Sequence, residues 1–149
     1  MNLKLWLENK TVQWQVPWPN RKGTGDEPHA FDTPPELIQG DYILYHGTNM
    51  PYAKSILEQR RVTKDDWGKV GICATPKAAG IYAAMKASAK DNIPSVVLRM
   101  VIDKKWFLSQ EVTREGGGSG KDQWLIESEE IPPNAIKVIG IYSVWGERQ

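Results

Sequence analysis

The sequence predicts a single α+β domain in which strands outnumber helices. With 149 residues the chain has the usual size of one compact domain. Short apolar or alternating runs, which are typical of strands, recur along its length. Two helical patterns lie near the middle, and most of the remaining strands follow the second of them. We expect residues 1–40 to form a hairpin and an irregular arm, and residues 41–149 to form the core.

The composition excludes several classes of protein. The 19 Lys and Arg residues nearly balance the 18 Asp and Glu residues, so no global charge attracts the chain to nucleic acid or to a membrane surface. Cys73 is the only cysteine and there are two histidines, which argues against a disulfide framework or a structural zinc site. No apolar run is long enough to span a membrane. We therefore expect a cytoplasmic protein with no metal and no membrane contact.

The first forty residues combine two alternating runs with a segment rich in proline. Residues 2–7 and 11–16 each alternate apolar and polar side chains, and together they predict a β-hairpin. Residues 17–40 contain prolines, glycines and small polar residues, which favour an irregular segment. A segment of this kind either covers a cleft as a lid or binds a partner.

The next strand carries the most informative short motif of the chain. Residues 42–46 alternate, and Gly47 is expected to end the strand. His46, Gly47 and Thr48 then stand together at the mouth of an apolar strand, where glycine allows a ligand to approach the backbone. This arrangement suits a nucleotide, although a histidine at a strand end followed by an ordinary turn would give the same pattern.

Two helices are predicted after this strand. Pro51 occupies a favourable first position for the first helix, and Thr75 followed by Pro76 predicts the start of the second. The second helix is expected to continue to about Lys90 and is rich in alanine. Its predicted apolar side consists of Ala78, Ala79, Tyr82, Ala83 and Met85.

Three strands are predicted in the second half, at residues 95–103, 123–127 and 136–145. Arg99 interrupts the apolar character of the first of these and is expected to lie at a sheet edge, with a phosphate contact as the alternative. Residues 115–121 are rich in glycine and predict a flexible loop. They do not form a phosphate-binding P-loop, because Glu115 and Asp122 stand where that motif requires glycine and a hydroxyl residue.

Three sequence blocks occur in a fixed order between residues 42 and 142. They are Tyr45-His46-Gly47-Thr48, then Gly71-Ile72-Cys73-Ala74-Thr75 followed by Ala78, Tyr82 and Ala83, and finally Gln123-Trp124-Leu125-Ile126 before Ile131-Pro132-Pro133-Asn134-Ala135-Ile136. Together they resemble the ADP-ribosyltransferase fold. More narrowly, they resemble the clade of diphtheria-toxin-like toxins, poly(ADP-ribose) polymerases, bacterial DNA-modifying toxins and RNA 2′-phosphotransferases. The resemblance implies a split pair of small antiparallel sheets with flanking helices and an NAD cleft between the sheets.

The resemblance also implies roles for individual residues. His46 would hydrogen-bond the nicotinamide ribose, and the Gly47 backbone would hold the carboxamide of NAD. Tyr82 matches one of the family's two stacking tyrosines, whereas Cys73 stands where the other would be and offers no π-face. Thr48 and Gly71 complete the expected cofactor-binding set.

The family's catalytic glutamate maps to Gln123, and here the sequence departs from the pattern. Cleavage of the nicotinamide bond passes through an oxocarbenium-like state, which a carboxylate stabilises and an uncharged glutamine does not. Glu127 lies on the same face of the predicted strand but about 13 Å away at 3.3 Å per residue. Glu129 and Glu130 are expected to form a solvated rim.

Three functions remain open on these residues. The first is an NAD-dependent mono-ADP-ribosyltransferase that modifies a macromolecule, as toxins and effectors do, with Gln123 and His46 in the catalytic positions. The second is an inactive relative that binds a nucleotide or a partner. The third is an RNA 2′-phosphotransferase, which is disfavoured because residues 68–71 lack the arginines of that pattern.

Overall fold

The computed structural model describes residues 12–13, 36–64, 70–86, 93–115, 123–126 and 128–145. These residues form strands and three α-helices in mixed order, which confirms the α+β class. The strands are β1 (Val12–Gln13), β2 (Glu36–Ile38), β3 (Asp41–Asn49), β4 (Val62–Thr63), β5 (Val70–Ile72), β6 (Ser95–Ile102), β7 (Val112–Glu115), β8 (Gln123–Ile126), β9 (Glu130–Ile131) and β10 (Ile136–Trp145). The helices are α1 (Met50–Gln59), α2 (Pro76–Lys86) and α3 (Lys104–Leu108), with a 3₁₀ turn at Pro133–Ala135.

The strands form three antiparallel sheets of different size. The largest has the order β1-β2-β3-β6-β10, the second has the order β5-β8-β7, and β4 pairs with β9. Among the described residues, one backbone bridge links the first two sheets: Tyr45 of β3 and Cys73, which follows β5, exchange backbone hydrogen bonds of 2.9 and 2.8 Å. This bridge lies near the middle of β3.

Both faces of the five-stranded sheet are covered. Its first face packs against α1, α3 and the three-stranded sheet through large apolar side chains, among them Leu44, Leu98 and Ile126. Its second face packs against α2 through a smaller cluster that includes Tyr45, Val97 and Ala79. Because β6 lies between β3 and β10 and is covered on both sides, all eight of its residues are buried and its sequence does not alternate.

Local signals in the sequence define the starts of the helices. The side chain of Asn49 caps α1 by accepting a hydrogen bond from the Tyr52 amide, and proline follows in the first turn. The Thr75 hydroxyl accepts from the Ala78 amide at 3.2 Å, as expected for the cap of α2. Helix α2 starts at Pro76 as predicted, whereas α1 starts at Met50, one residue before the predicted Pro51.

Several predictions made from the sequence are wrong. The strand does not end at Gly47 but continues to Asn49, because β6 pairs with it along its whole length. Met85 is 70% exposed and does not lie on the apolar side of α2. Arg99 lies in the central strand β6 and not at a sheet edge.

Other elements were not predicted at all. Strand β2 lies inside the segment expected to be irregular, β7 precedes the glycine-rich loop, and α3 follows β6. Of the predicted amino-terminal hairpin, only Val12–Gln13 is described, and it pairs with β2. The first hairpin strand, the extension of α2 to Lys90, Glu127 and the glycine-rich loop itself lie outside the described residues.

Candidate functional site

His46 connects the two main sheets at the point where they meet. It lies in β3, one residue after the bridge at Tyr45, and its side chain is 7% exposed. Its Nδ1 atom is 2.6 Å from the carbonyl oxygen of Gly71 in β5. The histidine and Gly71, which are far apart in the sequence, are thus held in direct contact.

This contact defines the chemical character of the imidazole. A carbonyl oxygen only accepts hydrogen bonds, so Nδ1 carries the hydrogen and donates it to Gly71. In the neutral ring the other nitrogen, Nε2, is then an acceptor. A neutral His46 in this tautomer is suited to accept a hydrogen bond from a hydroxyl group, such as that of a ribose.

Gly47 is required by the close approach of α2 to the sheet. A Cβ atom at this position would collide with the carbonyl oxygen of Ala79 and would lie 2.6 Å from the Ala83 backbone nitrogen. Both obstacles are helix backbone, which cannot rotate away as a side chain can. Gly47 neither ends the strand, as was expected, nor forms the turn that was the alternative; its role in the fold is to let the helix pack directly on β3.

The backbone of Gly47 faces the same side of β3 as that of Tyr45. In an antiparallel ladder the N–H and C=O groups of alternate residues point to the same side of the strand. Tyr45 directs both groups to Cys73, away from β6. The amide groups of Gly47, two residues along in a regular register, therefore also lie on the side away from β6.

Tyr82 and Cys73 lie on the side of the sheet that is covered by α2. Tyr82 is half-buried and packs against the cluster that contains Cys73, Ala78 and Ala79. Cys73 is 1% exposed. Of the two positions expected to flank a nicotinamide ring, one thus carries a partly accessible aromatic side chain and the other a buried thiol.

Thr48 and Gly71 occupy the remaining expected positions. Thr48 lies in β3 two residues after His46 and is buried, so the two side chains share one face of the strand. Gly71 is the middle residue of β5, where it pairs with Leu125 of β8. The structure thus places His46, Gly47, Thr48 and Gly71 on two strands that approach each other beside the bridge.

Gln123 is the first residue of β8, next to β5 in the three-stranded sheet. The register pairs Ile72 with Trp124, so Gln123 lies one step further, level with Cys73. On its other side Gln123 is the register partner of Glu115, the last residue of β7. Glu115 was expected in a flexible loop; the β-branched residues Val112 and Thr113 before it are the signal that could have indicated a strand.

Arg99 forms a buried cationic centre on the same side of the sheet as α2. It is 3% exposed, and its guanidinium carbon lies 5.4 Å from the ring centre of Tyr45 and 5.7 Å from that of Tyr142. The two rings also contact each other edge to face at 5.5 Å. Burial raises the pKa of Tyr45, which therefore stays protonated at neutral pH, while the nearby Arg99 lowers that pKa by a smaller amount.

The basic residues that follow α1 contact acidic side chains and a backbone carbonyl. Arg61 pairs with Glu130 at 3.4 Å and Lys64 with Glu129 at 3.3 Å, while Arg60 donates to the carbonyl oxygen of Ile136. These contacts join the end of α1 and β4 to β9 and β10. Glu129 and Glu130, which were expected to form a solvated rim, are thus ion-paired to Lys64 and Arg61.

In the described part of the chain, no group of three or more His, Cys, Asp or Glu side chains is arranged to hold a metal ion. None of its helices is long and apolar enough to cross a membrane.

Comparison with known proteins adds nothing to these observations. No protein-family model matches the sequence, and neither the curated proteins nor the solved structures yield a significant match.

Proposed function

We propose that the protein binds NAD where β3 and β5 meet and transfers ADP-ribose from it to a macromolecule. The observation that carries the proposal is the hydrogen bond from His46 to Gly71, because it holds the histidine in the tautomer that can accept from a ribose hydroxyl. Gly47 and Thr48 follow on the same strand, and Tyr82 lies on the helix that covers Gly47.

The residues present fit parts of NAD to different degrees. The amide groups of Gly47 lie on the side of β3 away from β6, which is where the carboxamide of NAD would have to reach them. Tyr82 can stack on one side of a nicotinamide ring. The buried thiol of Cys73 supplies no second ring, so we expect weaker binding than two aromatic rings would provide.

The reaction itself breaks one bond and forms one. The bond between the nicotinamide nitrogen and C1′ of the ribose breaks, and its electron pair leaves with nicotinamide, which becomes neutral. The positive charge moves to the ribose as an oxocarbenium-like state. A nucleophilic atom of the acceptor then bonds to C1′ and releases its proton to solvent. His46 contributes by orienting the ribose, which keeps C1′ in position for attack.

The proposal is tested by titrating NAD into the protein in a calorimeter and following free nicotinamide by chromatography. We expect binding and release of nicotinamide. Tyr82→Ala should weaken binding about tenfold, since stacking of an aromatic side chain on a base contributes about 1–3 kcal/mol. Tyr52→Ala is the matched control, because Tyr52 also lies on a helix but is 66% exposed and does not belong to the cluster that Tyr82 packs against.

The outcomes separate the candidate functions. If NAD does not bind, the proposal is wrong. If NAD binds and is never cleaved, the protein is a nucleotide-binding relative without transferase activity, the second of the functions that the sequence left open. If Tyr52→Ala weakens binding as much as Tyr82→Ala, NAD binds elsewhere.

A further inference from the structure

We infer that the protein forms a two-fold symmetric dimer in which the free edge of β10 pairs antiparallel with β10 of a second copy. This inference concerns an interaction surface and does not depend on NAD. β10 is the last strand in the order β1-β2-β3-β6-β10, so among the described residues no strand lies beyond it. An edge of this kind presents backbone N–H and C=O groups with which another strand can pair.

The register of the sheet shows which residues of β10 present these groups. Tyr45 directs its N–H and C=O to Cys73, away from β6, so its partner Arg99 in β6 directs its own backbone groups to β10. There Arg99 pairs with Gly140, whose backbone groups therefore point back to β6. Because the groups alternate along a strand, those of the residues on either side of Gly140 point to the free edge.

The open part of the edge is short and lies around these two residues, Ile139 and Ile141. At the start of β10, the carbonyl oxygen of Ile136 already accepts a hydrogen bond from the Arg60 side chain at 3.3 Å. Shifts in the register with β6 precede Val138 and follow Ile141, and such irregularities limit pairing along an edge. Regular pairing with a second copy is therefore confined to residues 138–141.

A two-fold axis at Gly140 allows this stretch to pair with itself. Ile139 of one copy then lies opposite Ile141 of the other, and the axis repeats this pair on the other side of Gly140. Both isoleucines direct their backbone groups to the edge, so each pair exchanges two hydrogen bonds, as in any antiparallel ladder. The two sheets join into one continuous sheet.

The side chains at this edge are suited to contact with their own copies. Ile139 and Ile141 pair with Met100 and Leu98 of β6, which both belong to the first face, so the two isoleucines share that face. Ile141 is 38% exposed. In the dimer the isoleucines of the two copies contact each other, and this contact removes exposed apolar surface from water.

The charges of β10 favour antiparallel pairing with a second copy. Lys137 is the one charged residue in the sequence of this strand, and it is paired with Asp41 and Asp103. With the axis at Gly140, the two copies of Lys137 lie six residues apart along the strand, about 20 Å at 3.3 Å per residue. The middle of the strand thus has none of the charged side chains that normally protect an edge from another strand.

The test measures the mass of the unaltered full chain by sedimentation equilibrium over a range of concentrations. We expect the mass to rise from 16.8 kDa towards twice that value. The dissociation constant should lie at about 1–100 μM, because the pairing of a short stretch buries little surface.

Ile141→Lys places a charge at the contact and should weaken dimerisation at least about tenfold. Leu108→Lys is the matched control, because Leu108 is also aliphatic and is 37% exposed, but it lies on α3. This control should dimerise like the unaltered protein.

Cross-linking locates the contact. In the inferred register, the Cβ atoms of residue 141 in the two copies are diagonal neighbours, about 7–8 Å apart. A bifunctional maleimide with a spacer of about 8 Å should therefore link Ile141→Cys into a covalent dimer and leave Leu108→Cys as a monomer. Cys73 is 1% exposed, so the unaltered protein should not react.

Each outcome decides for or against this dimer, whether or not NAD binds. A mass of 16.8 kDa at every concentration up to about 300 μM would overturn the inference and mean that the edge stays open or is covered within one chain. A dimer that Leu108→Lys weakens as much as Ile141→Lys, or that gives no covalent dimer in Ile141→Cys, uses another surface and overturns it as well. If Ile141→Lys does not unfold cooperatively, the cross-linking result decides.

Discussion

The two faces of the five-stranded sheet are packed in different ways. The first face, which meets α1, α3 and the three-stranded sheet, is filled with large aliphatic and aromatic side chains such as Leu98, Met100 and Phe107. The second face meets α2, whose buried positions are all alanine, and it includes Gly47 and the buried Arg99. On the first face, large side chains keep the sheet backbone apart from the elements that cover it. On the second face, the backbone of α2 contacts the backbone of β3 directly at Gly47.

This difference indicates where each face can tolerate change. A layer of large side chains contributes stability through buried apolar area and loses it when a side chain is shortened. A contact between two backbones leaves no room for an additional atom and loses stability when a side chain is added. The proposed site draws on both faces: Tyr82 lies on the closely packed second face, whereas His46, the register partner of Leu98, lies on the first.

Leu98→Ala should have the largest effect on stability. Leu98 is fully buried on the first face, and removal of its side chain leaves a cavity between the two sheets. We expect the free energy of unfolding to fall by about 2–5 kcal/mol, measured by urea denaturation. A loss below about 1 kcal/mol would show that this face is loosely packed and that the contrast between the faces is wrong.

Gly47→Ala tests the second face. The added methyl group would meet the backbone of Ala79 and Ala83, so α2 must move, and we expect a loss of about 1–3 kcal/mol. Gly40→Ala provides the comparison. Gly40 has a φ of 90°, and a Cβ atom added there would meet no other atom within 4 Å, so only backbone strain of about 1–2 kcal/mol applies. NAD binding should weaken in Gly47→Ala and stay unchanged in Gly40→Ala.

Tyr45→Phe tests the second face through the pH dependence of the unfolding free energy, because it removes the buried phenol of that face. Burial raises the pKa of Tyr45 above the ordinary value of 10.0. The unfolded chain therefore loses this proton at a lower pH than the folded chain, so the stability that the phenol contributes is present below pH 10 and is lost as the pH rises above it. The unfolding free energy of Tyr45→Phe should fall less steeply above pH 10, and parallel curves would contradict a buried phenol.

Asp103→Ala, at the edge of the first face, should have a smaller effect than the changes above. The Asp103 carboxylate caps α3 by accepting a hydrogen bond from the Trp106 amide at 2.9 Å, and loss of such a cap costs about 1 kcal/mol. This hydrogen bond, followed by the contact with Lys137, lowers the pKa of Asp103 below 3.8. Its contribution is therefore present above pH 3.8 and is lost as the pH falls through the lower, folded-state value.

Thermal unfolding of both proteins between pH 2 and pH 7 measures this contribution. The difference in stability between the unaltered protein and Asp103→Ala should shrink at the acidic end. Lys137→Met removes the ion pairs to Asp41 and Asp103 but keeps the cap, and it should cost less than about 1 kcal/mol because these groups are partly exposed. A larger loss in Lys137→Met than in Asp103→Ala would show that the ion pairs outweigh the cap.

Local features of the fold could be predicted because the physics that produces them is local. The starts of both helices depend on a side chain and an amide three residues away. Thr75 with Pro76 indicated the second start, whereas Pro51 indicated the first and the cap at Asn49 was not predicted. The buried strand β6 was predicted from its continuous apolar run. Short elements such as β2 and β7 were missed, because two to four residues carry too little pattern and depend on a neighbouring strand to form.

The candidate site was predicted only in part for the same reason. His46, Gly47 and Gly71 stood out through their residue types and their order, and the structure brings them together beside the bridge. Arg99 was misplaced because the sequence does not show which strands flank β6, and an arginine in a central strand is costly unless aromatic rings or other groups surround it. Glu115 was expected in a loop because β7 forms by pairing with β8, and this pairing is not visible in the sequence of residues 112–115.

What the sequence by itself determined about this protein is its class, its main helices and central strands, and the residue types gathered around residues 45–48 and 71–75. Capping, periodicity and composition act over a few residues, so each is encoded where it acts. The tertiary structure alone decided that His46 donates to Gly71 and that Gly47 lies under a helix backbone. It also decided that Glu115 of β7 is the register partner of Gln123 of β8. Strand register and sheet order bring together residues that are remote in the chain, and these depend on how all the strands pack at once.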